Sequence, residues 1–304
     1  MIESHNEWSR LRKVVVGDAS WANWPTQDPV FGQEHLKTTW HDSPVPSGAV
    51  PQHIIDEANQ DLDTLSQTLS SLGVEVVRPK QLNFQEQGGM YNYCPRDRLL
   101  IIGDTVIDTA MMYPCRDMEI DCYREILAQH SKVITMPRNQ GMVLDAANVC
   151  RLGNNLLFLE SASGNRAAYE WLCEQLPQYK IELCNFYSGV HIDSTIVPLR
   201  PGLVLLNAAR VRFDSVPRAF DGWHKVWVSD VEAQDFYQYP YASKWIAMNM
   251  LSVDQQTVIC DKLQNKLIKT LESYKIEVIP MQLRHSRTLG GGFHCTTLDL
   301  VRQD

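Results

Sequence analysis

A short strand that follows an amphipathic segment recurs along the chain, and this recurrence restricts the fold more than any other feature. The strands are predicted at Val74–Pro79, Lys132–Pro137, Lys180–Asn185, Lys225–Ser229 and Lys275–Pro280. They lie about 45–57 residues apart, a spacing typical of repeats, solenoids and propellers. Helical segments are predicted before them at 51–72, 116–129, 164–175 and 261–273, with a weaker one near 214–222.

Hairpins precede these helical segments. Apolar runs meet at a turn dipeptide in 98–108 (Gly103-Asp104), 148–159 (Gly153-Asn154) and 195–206 (Pro201-Gly202). The last unit has its hairpin pieces at the two chain ends, where Lys13–Val16 and Thr296–Val301 could pair and close a ring. The sequence therefore predicts an α/β propeller with five-fold pseudosymmetry, built from ββαβ-type units around a central active-site cavity. A generic α+β fold is the alternative.

The composition places few further limits on the fold but excludes some functions. With 44% hydrophobic and 21% charged residues among 304, and no linker-like stretch, residues 1–304 are predicted to form a single domain. The formal charge of −8 argues against nucleic-acid binding and suits a cationic ligand. No apolar run approaches the roughly 20 residues of a membrane helix, and the polar N-terminus does not resemble a targeting peptide. Eight cysteines without a CxxC pair indicate reduced thiols in a cytoplasmic protein rather than disulfides or a zinc site.

A long aperiodic stretch at 19–50 carries Trp21, Trp24 and Trp40. Long loops in compact domains are often functional, and these residues could line a lid together with Trp8. Isolated tryptophans are more often packing anchors, so both interpretations stay open.

Three consecutive glycines precede a cysteine in the segment Leu289–Thr297. A thiol displayed where a glycine turn enters a strand is a candidate nucleophile, because glycine has no Cβ to keep a ligand away. A small buried structural cysteine is the alternative for Cys295, since buried thiols are usually inert. His294 would point to the opposite face of the predicted strand and is interpreted as structural.

Acidic or catalytic side chains recur where each unit passes from loop to strand. They are Asp97, Asp145, His191 with Asp193, Ser243 and Cys295. In a ring these positions would converge on the axis, where a histidine could carry protons for a thiol and an aspartate could orient that histidine. Further carboxylates could bind a planar cation. If His191 and Asp193 lie in a strand, both point to one face.

Each of these residues also has a structural interpretation. Asp97 can be a turn former and Asp145 a helix cap. The pair around Ile192 can be simple polar alternation on an exposed strand. Arg210 could clamp a carboxylate bidentately, but a surface arginine fits its spacing equally well, and Arg116 is equally open.

Together the residues carry a resemblance that runs nearly end to end. The matching motifs are Glu7-Trp8, Val14–Gly17, Pro95-Arg96-Asp97, Asp145-Ala146-Ala147, His191-Ile192-Asp193, Ser243-Lys244-Trp245, Met248-Asn249 and Leu289–Cys295. The chain resembles the arginine:glycine amidinotransferase family, part of the guanidino-group-modifying superfamily of pentein α/β propellers. Deiminases and dimethylarginine hydrolases of that superfamily also end in a Gly-rich cysteine strand. The residues of the Leu289–Cys295 motif are more similar to those of the amidinotransferases.

The resemblance implies a role for each matching residue. Cys295 would attack the guanidinium carbon of arginine, and His191 would protonate the departing ornithine and then deprotonate the incoming amine. Asp145 would orient His191. The resemblance also implies that Asp97 and Asp193 hold the guanidinium nitrogens and that Arg210 and Ser243 bind the carboxylate and α-amino end. The glycines are interpreted as letting the flat guanidinium approach the sulfur.

The expected activity is transfer of the amidino group from arginine to a small amine, with glycine as the preferred acceptor and guanidinoacetate and ornithine as products. The partners are expected to be these small molecules, with no nucleic acid, no membrane, no metal and no organic cofactor, and a homodimer is possible. Ala242 and Val190 replace a serine and a methionine of the vertebrate members, and the connection from about 131 to Asp145 is shorter. These departures leave the acceptor open. A guanidine hydrolase of the same superfamily and a non-catalytic binder of guanidino compounds are the alternatives.

Overall fold

The computed structural model describes residues 2–37, 46–128, 130, 132–232 and 241–303, without the side chains of 34–37. Trp40, one of the predicted lid tryptophans, lies outside the described residues. Within the described ranges, no helix is both long and apolar enough to cross a membrane.

Seventeen strands are described in chain order. They are β1 (Arg10–Val16), β2 (Asn23–Trp24), β3 (Gly48–Ala49), β4 (Glu75–Val77), β5 (Leu99–Ile102), β6 (Thr105–Asp108), β7 (Val133–Thr135), β8 (Val149–Leu152), β9 (Asn155–Leu159), β10 (Lys180–Cys184), β11 (Ile196–Arg200), β12 (Leu203–Asn207), β13 (His224–Val228), β14 (Leu251–Ser252), β15 (Thr257–Asp261), β16 (Glu277–Met281) and β17 (Thr297–Gln303).

Helices connect the strands. The α-helices are α1 (Pro29–Lys37), α2 (Gln52–Ser71), α3 (Phe84–Gln87), α4 (Pro95–Arg98), α5 (Arg124–Leu127), α6 (Arg166–Gln175), α7 (Asn265–Ser273) and α8 (Ser286–Leu289). Short 3-10 helices cover Pro114–Cys122, Ala146–Asn148, Phe213–Ser215, Arg218–Phe220 and Lys244–Met248.

Five three-stranded sheets repeat one topology, and β2 and β3 form a small separate ribbon. In each of the five, an antiparallel hairpin is followed by a helical connection and a third strand that runs parallel to the second. The fifth sheet is built from both chain ends, since β17 pairs antiparallel with β1 and β4 pairs parallel with β1. The three predicted hairpins, the pairing of the chain ends and the recurring third strands are confirmed.

The core is divided between the faces of these sheets. Alternate residues of one strand enter different clusters: Leu100 and Ile102 of β5 pack against β8, β9 and α6, whereas Leu99 and Ile101 pack against β17. A strand buried on both faces reads as a continuous apolar run, as β5 does. There are five hydrophobic clusters, and each joins one sheet to the next in chain order. The cluster that joins the last sheet to the first packs β14–β16 against β1 and α2.

The region predicted as a helix over 116–129 differs from the prediction. It begins at Pro114 as a 3-10 helix that ends at Cys122, and only Arg124–Leu127 is α-helical. Arg116 and Glu119 are buried there and bind one another at 2.7 Å. The segment therefore combines this buried ion pair with apolar residues that pack against the core, including Met118, Ile120 and Ile126.

Candidate active site

All seven side chains predicted for the site line one cavity of about 250 Å³. They are Asp97, Asp145, His191, Asp193, Arg210, Ser243 and Cys295. Five of them lie just before the first strand of a hairpin, before β5, β8, β11 or β17, and Ser243 lies just before the 3-10 helix Lys244–Met248 that leads to β14. Arg210 follows β12. The cavity therefore receives side chains from every repeated unit, because each unit presents its loop-to-strand junction to the same space.

Cys295 lies in the turn that precedes β17, and its side chain is 2% exposed. Its Sγ atom lies 3.3 Å from Asp193 Oδ2, and its backbone N–H donates to Asn249 Oδ1 at 2.9 Å. A hydrogen bond with the Cys94 thiol and burial raise the pKa of Cys295 well above its ordinary value, while the contact with His191 opposes this shift. The free thiol is therefore predominantly protonated, and ionisation requires a change of charge in the cavity.

The three glycines before Cys295 were predicted to let a guanidinium approach the sulfur. Gly291 and Gly292 instead face protein atoms. A Cβ at Gly291 would lie 2.5 Å from Cys94 Sγ, and one at Gly292 would lie 2.7 Å from the Asn249 carbonyl oxygen. These glycines let the turn pack against protein atoms. Gly290 has a φ of 76°, ends α8 and lines the cavity.

His191 takes up a left-handed backbone conformation with φ 59°, which is uncommon outside glycine. Its Nε2 atom lies 3.0 Å from Asp145 Oδ2, and its Nδ1 atom lies 3.7 Å from Asp97 Oδ1. Burial disfavours the charged ring, but the negative charge of Asp97 and the hydrogen bond with Asp145 raise the pKa of His191 well above its ordinary value. The expectation that His191 and Asp193 share a strand face is wrong, because β11 begins only at Ile196.

Asp145 is held in place from the opposite side. Its Oδ1 atom accepts the backbone N–H of Met112 at 2.8 Å, and its own N–H donates to the Ser163 carbonyl at 2.8 Å. The carboxylate therefore has one oxygen committed to the backbone and one to His191. This arrangement fixes the orientation of the imidazole ring.

Asp97 is buried and has one committed and one free oxygen. Oδ2 accepts from Arg116 Nη1 at 2.9 Å, and Arg116 is in turn bound by Glu119. Oδ1 has no hydrogen-bond partner among the described residues. Burial raises the pKa of Asp97, against the opposing charges of His191 and Arg116. Arg116, for which the sequence left two interpretations open, is thus a cavity residue that positions Asp97.

Arg210 and Ser243 lie together in the cavity lining. Arg210 Nη2 donates to Ser243 Oγ at 3.1 Å, and Nη1 donates to Ser194 and Thr195 at 3.0 and 2.9 Å. The guanidinium also stacks on the Tyr187 ring at 4.2 Å. It has no carboxylate partner in the part of the chain that the structure describes, so it can accept an anionic group from a ligand.

The sequence interpretation placed His294 in a strand, and this placement is wrong. Because β17 begins at Thr297, His294 lies in the preceding turn and not in a strand. Its Nδ1 atom contacts Asp193 Oδ2 at 2.8 Å and its Nε2 atom contacts Glu7 at 3.2 Å. The aromatic lining was missed, since no spacing in the sequence singles it out; it consists of Tyr91, Tyr113, Tyr187 and Tyr241.

Sequence comparison identifies known proteins that this chain resembles. Inosamine-phosphate amidinotransferase 1 from Streptomyces glaucescens is 39% identical over 337 aligned positions, which cover 99% of this chain and 97% of the relative. The chain belongs to the amidinotransferase family. Family members transfer amidino groups, and the chain is accordingly a transferase.

More distant relatives have other acceptors in their names. L-arginine:L-lysine amidinotransferase from Pseudomonas savastanoi pv. phaseolicola is 28% identical, with 99% of this chain and 94% of the relative covered. Mitochondrial glycine amidinotransferase from Xenopus tropicalis is 27% identical, with 99% and 82% covered. No model of a protein family matches the chain.

Solved structures agree with the sequence comparison. Inosamine-phosphate amidinotransferase from Streptomyces griseus superposes with a TM-score of 0.91 at 34% identity, covering 100% of this chain and 97% of that one. Dimethylarginine dimethylaminohydrolase superposes with a TM-score of 0.70 at 14% identity, covering 95% and 99%, which shows a shared fold only. The fold is therefore the α/β fold of the amidinotransferases and of their pentein neighbours.

The amidinotransferase cavity brings together three donor atoms that could also hold a metal ion. One atom each from Asp97, His191 and Cys295 lie within 4.8 Å of one another. A carboxylate, an imidazole and a thiolate are the minimum set for a catalytic zinc site. A carboxylate, an imidazole and a thiol are also the kinds of group that bind a cation, carry a proton and attack a carbon centre in cysteine-dependent catalysis.

Proposed function

We propose that the protein transfers the amidino group of L-arginine to a primary amine that also carries an anionic group, through a covalent amidino-Cys295 intermediate. The observation that carries this proposal is the buried Oδ1 atom of Asp97, which lies beside His191 and Cys295 and accepts no hydrogen bond from any described residue. A buried carboxylate oxygen without a donor is costly unless a ligand supplies one. A guanidinium supplies several N–H donors and a positive charge in one plane.

The donor would lie between the two ends of the cavity. Asp97 and Asp193 would bind the guanidinium nitrogens, which places the central carbon next to Cys295 Sγ. Arg210 and Ser243 would bind the α-carboxylate end of the same molecule. These roles are supported by two features of the described residues: Asp97 Oδ1 accepts no hydrogen bond, and the Arg210 guanidinium has no carboxylate partner.

The first half-reaction would form one bond and break another. The cation of the donor stabilises the thiolate of Cys295, whose pKa is otherwise raised by the Cys94 thiol and by burial. The thiol proton leaves to solvent, because His191 is already protonated. The sulfur lone pair forms a bond to the guanidinium carbon, and the bond from that carbon to the δ-nitrogen of ornithine breaks. His191, whose ring is protonated at neutral pH because of Asp97 and Asp145, donates the proton to the departing nitrogen.

The second half-reaction would use the same groups in reverse. Ornithine leaves, and the acceptor amine occupies its place next to the amidino-cysteine. Neutral His191 takes a proton from the amine as its lone pair attacks, and the carbon–sulfur bond breaks to restore the thiolate. One cavity serves both substrates because they are never bound together, as in other ping-pong reactions.

Glycine, the acceptor expected from the sequence, is one candidate for this chemistry. Relatives with 36–39% identity are named for inosamine phosphate, whereas the glycine amidinotransferases are 27% identical. We therefore propose an inosamine phosphate as the first acceptor to test. Both candidates combine an amine with an anion, and Arg210 is the cavity cation that could bind either anion.

We also propose that the five sheets surround this cavity as a five-bladed propeller in a single domain spanning 1–304. The proposal is supported by the five clusters that join each sheet to the next and by the contribution of every unit to the cavity. A cytoplasmic location and a homodimer stay predictions.

The test is an acceptor screen with arginine as donor, read by release of ornithine. Inosamine phosphate, glycine and lysine are compared with water alone, and Cys295→Ala is the inactive reference. Ornithine release that depends on an amine supports the proposal. Citrulline and ammonia from arginine alone would instead show a guanidine hydrolase. Loss of activity after a chelator treatment, with recovery on adding zinc, would show that the three donor atoms hold a metal.

A further inference from the structure

Asp193 contacts His294, a residue that has no role in the two half-reactions. Its Oδ2 atom lies 2.8 Å from His294 Nδ1 and 3.3 Å from Cys295 Sγ. The carboxylate that faces the sulfur is therefore in direct contact with the imidazole that precedes the sulfur in sequence. Burial opposes ionisation, yet the hydrogen bond and charge of His294 lower the pKa of Asp193.

The ring of His294 is fixed through its second nitrogen. Nε2 lies 3.2 Å from Glu7 Oε2, and Glu7 is bound through both oxygens by Arg151 at 2.9 and 2.7 Å. Asp193 and Glu7 both present acceptor oxygens to the ring. Both ring nitrogens of His294 therefore act as donors, which is the imidazolium form. The ring cannot turn away from Asp193 without breaking the contact with Glu7.

The backbone of His294 is fixed as well. Arg96 Nε donates to the carbonyl oxygens of His294 at 3.3 Å and of Thr297 at 3.0 Å. Arg96 is itself paired with the fully buried Asp299, which also binds Arg151 at 2.6 Å. His294 thus connects a rigid, buried ion-pair network to the wall of the cavity.

We propose that His294 is a positioning residue that acts through Asp193, holding this carboxylate charged and oriented so that the donor guanidinium lies against the sulfur of Cys295. The proposal rests on the proposed function, because it concerns how the donor is bound. A purely structural role is the competing explanation, in which His294 only balances the charge of Glu7 inside the core.

Two amide substitutions separate these explanations. Asparagine at 294 keeps a donor near the position of Nδ1, toward Asp193, and loses the contact with Glu7. Glutamine at 294 extends its amide toward Glu7 and leaves Asp193 without its donor. Alanine removes both contacts. His285→Asn is the matched control, because His285 has the same 14% exposure, binds Glu57 at 2.6 Å and lies outside the cavity lining.

The measurements are the KM for arginine, kcat and the Kd of arginine for the same variants combined with Cys295→Ser. We expect His294→Gln and His294→Ala to weaken arginine binding about 10- to 100-fold, the loss typical of a charged hydrogen bond. His294→Asn should restore part of this affinity, because it keeps a donor to Asp193 but not the positive charge, and His285→Asn should match the parent. Melting temperatures report the structural contribution separately.

Equal losses for His294→Asn and His294→Gln would overturn the proposal, as would unchanged arginine affinity in all three variants with only a lowered melting temperature. If the parent enzyme releases no ornithine with any acceptor, the proposed function fails independently. The Kd values for arginine in the Cys295→Ser background test the positioning role in that case as well. Affinity that falls in His294→Gln and recovers in His294→Asn supports this role. A protein that does not bind arginine contradicts it.

Discussion

The thiol of Cys295 and the imidazole of His191 have opposite electrostatic environments although they are in contact. The Cys94 thiol, burial and nearby carboxylates hold the thiol protonated, whereas Asp97 and Asp145 hold the imidazole protonated. Without a substrate, the imidazole of His191 is therefore protonated and the thiol of Cys295 is not ionised. A cation bound between Asp97 and Asp193 would favour the thiolate of Cys295, whereas the hydrogen bond with Asp145 continues to favour the protonated imidazole of His191.

Replacing Asp145 tests how His191 is kept protonated. The negative charge and hydrogen bond of Asp145 raise the pKa of His191, so Asp145→Asn should lower it. We expect kcat to fall about 10²- to 10⁴-fold, because the imidazole loses both its orientation and its charge as a proton donor. Ornithine release depends on protonated His191 and is lost as pH rises through the folded-state pKa. This decline should occur at lower pH in the variant.

A pH profile of the first half-reaction, measured by rapid quench with arginine in excess, gives this result directly. Asp117→Asn is a matched control, because Asp117 is a half-exposed carboxylate that binds Arg138 outside the cavity lining. A decline at the same pH in Asp145→Asn as in the parent would show that Asp145 does not set the charge of His191.

At the scale of elements, local signals in the sequence were sufficient for most of the fold. The turns at Gly103-Asp104, Gly153-Asn154 and Pro201-Gly202 lie where predicted, because glycine supplies the positive φ that each hairpin requires. The pairing of the chain ends could be inferred because two apolar runs had no local partner.

What the sequence could not indicate depends on contacts between distant segments. The apolar–polar alternation around Ile192 is that of a strand, yet His191 takes a positive φ and β11 begins at Ile196. His294 was likewise expected in a strand, but it lies in a turn. Asn249 stabilises this turn by accepting the N–H of Cys295. All seven predicted side chains reach the cavity, but their roles stay predictions until they are tested.

The turn before β17 gives a prediction about packing. Gly291→Ala would place a methyl group 2.5 Å from Cys94 Sγ, so we expect a loss of about 1–3 kcal/mol of stability from overpacking. Cys94→Ala removes that sulfur, and the double variant should recover much of the loss. Urea denaturation of the two single variants and the double variant measures the coupling.

Gly292→Ala is the control for this cycle. Its methyl group would meet the backbone oxygen of Asn249 at 2.7 Å, which no change at Cys94 can relieve. It should stay destabilised in the Cys94→Ala background. If Gly291→Ala and Gly292→Ala respond alike to the loss of the Cys94 sulfur, the packing explanation for Gly291 is wrong.

At the scale of the molecule, both chain ends belong to one sheet. The Glu3 N–H donates to the Leu300 carbonyl at 2.7 Å, and the Arg302 N–H donates to the Glu3 carbonyl at 2.9 Å. The ends therefore lie close together. Joining them and opening the chain at another turn would keep the same contacts between units. A domain whose two chain ends lie close together tolerates new ends at an exposed turn.

We expect a circular permutant opened between Pro201 and Gly202, with a short Gly/Ser linker between the old ends, to fold and to keep its activity. Both residues are exposed and lie in a hairpin turn. A permutant opened between Val204 and Leu205, inside the buried β12, should not fold. Circular dichroism and ornithine release compare the two, and equal behaviour would contradict the proposed ring.

The central claim is the covalent amidino-cysteine. The most direct measurement is to incubate the protein with arginine labelled in the guanidino carbon, without acceptor, and to quench, digest and analyse the peptides by mass spectrometry. The account predicts label on the peptide that contains Cys295, with ornithine released in equal amount and the label transferred when an amine acceptor is added. Absence of label from that peptide, or label on another residue, would contradict it.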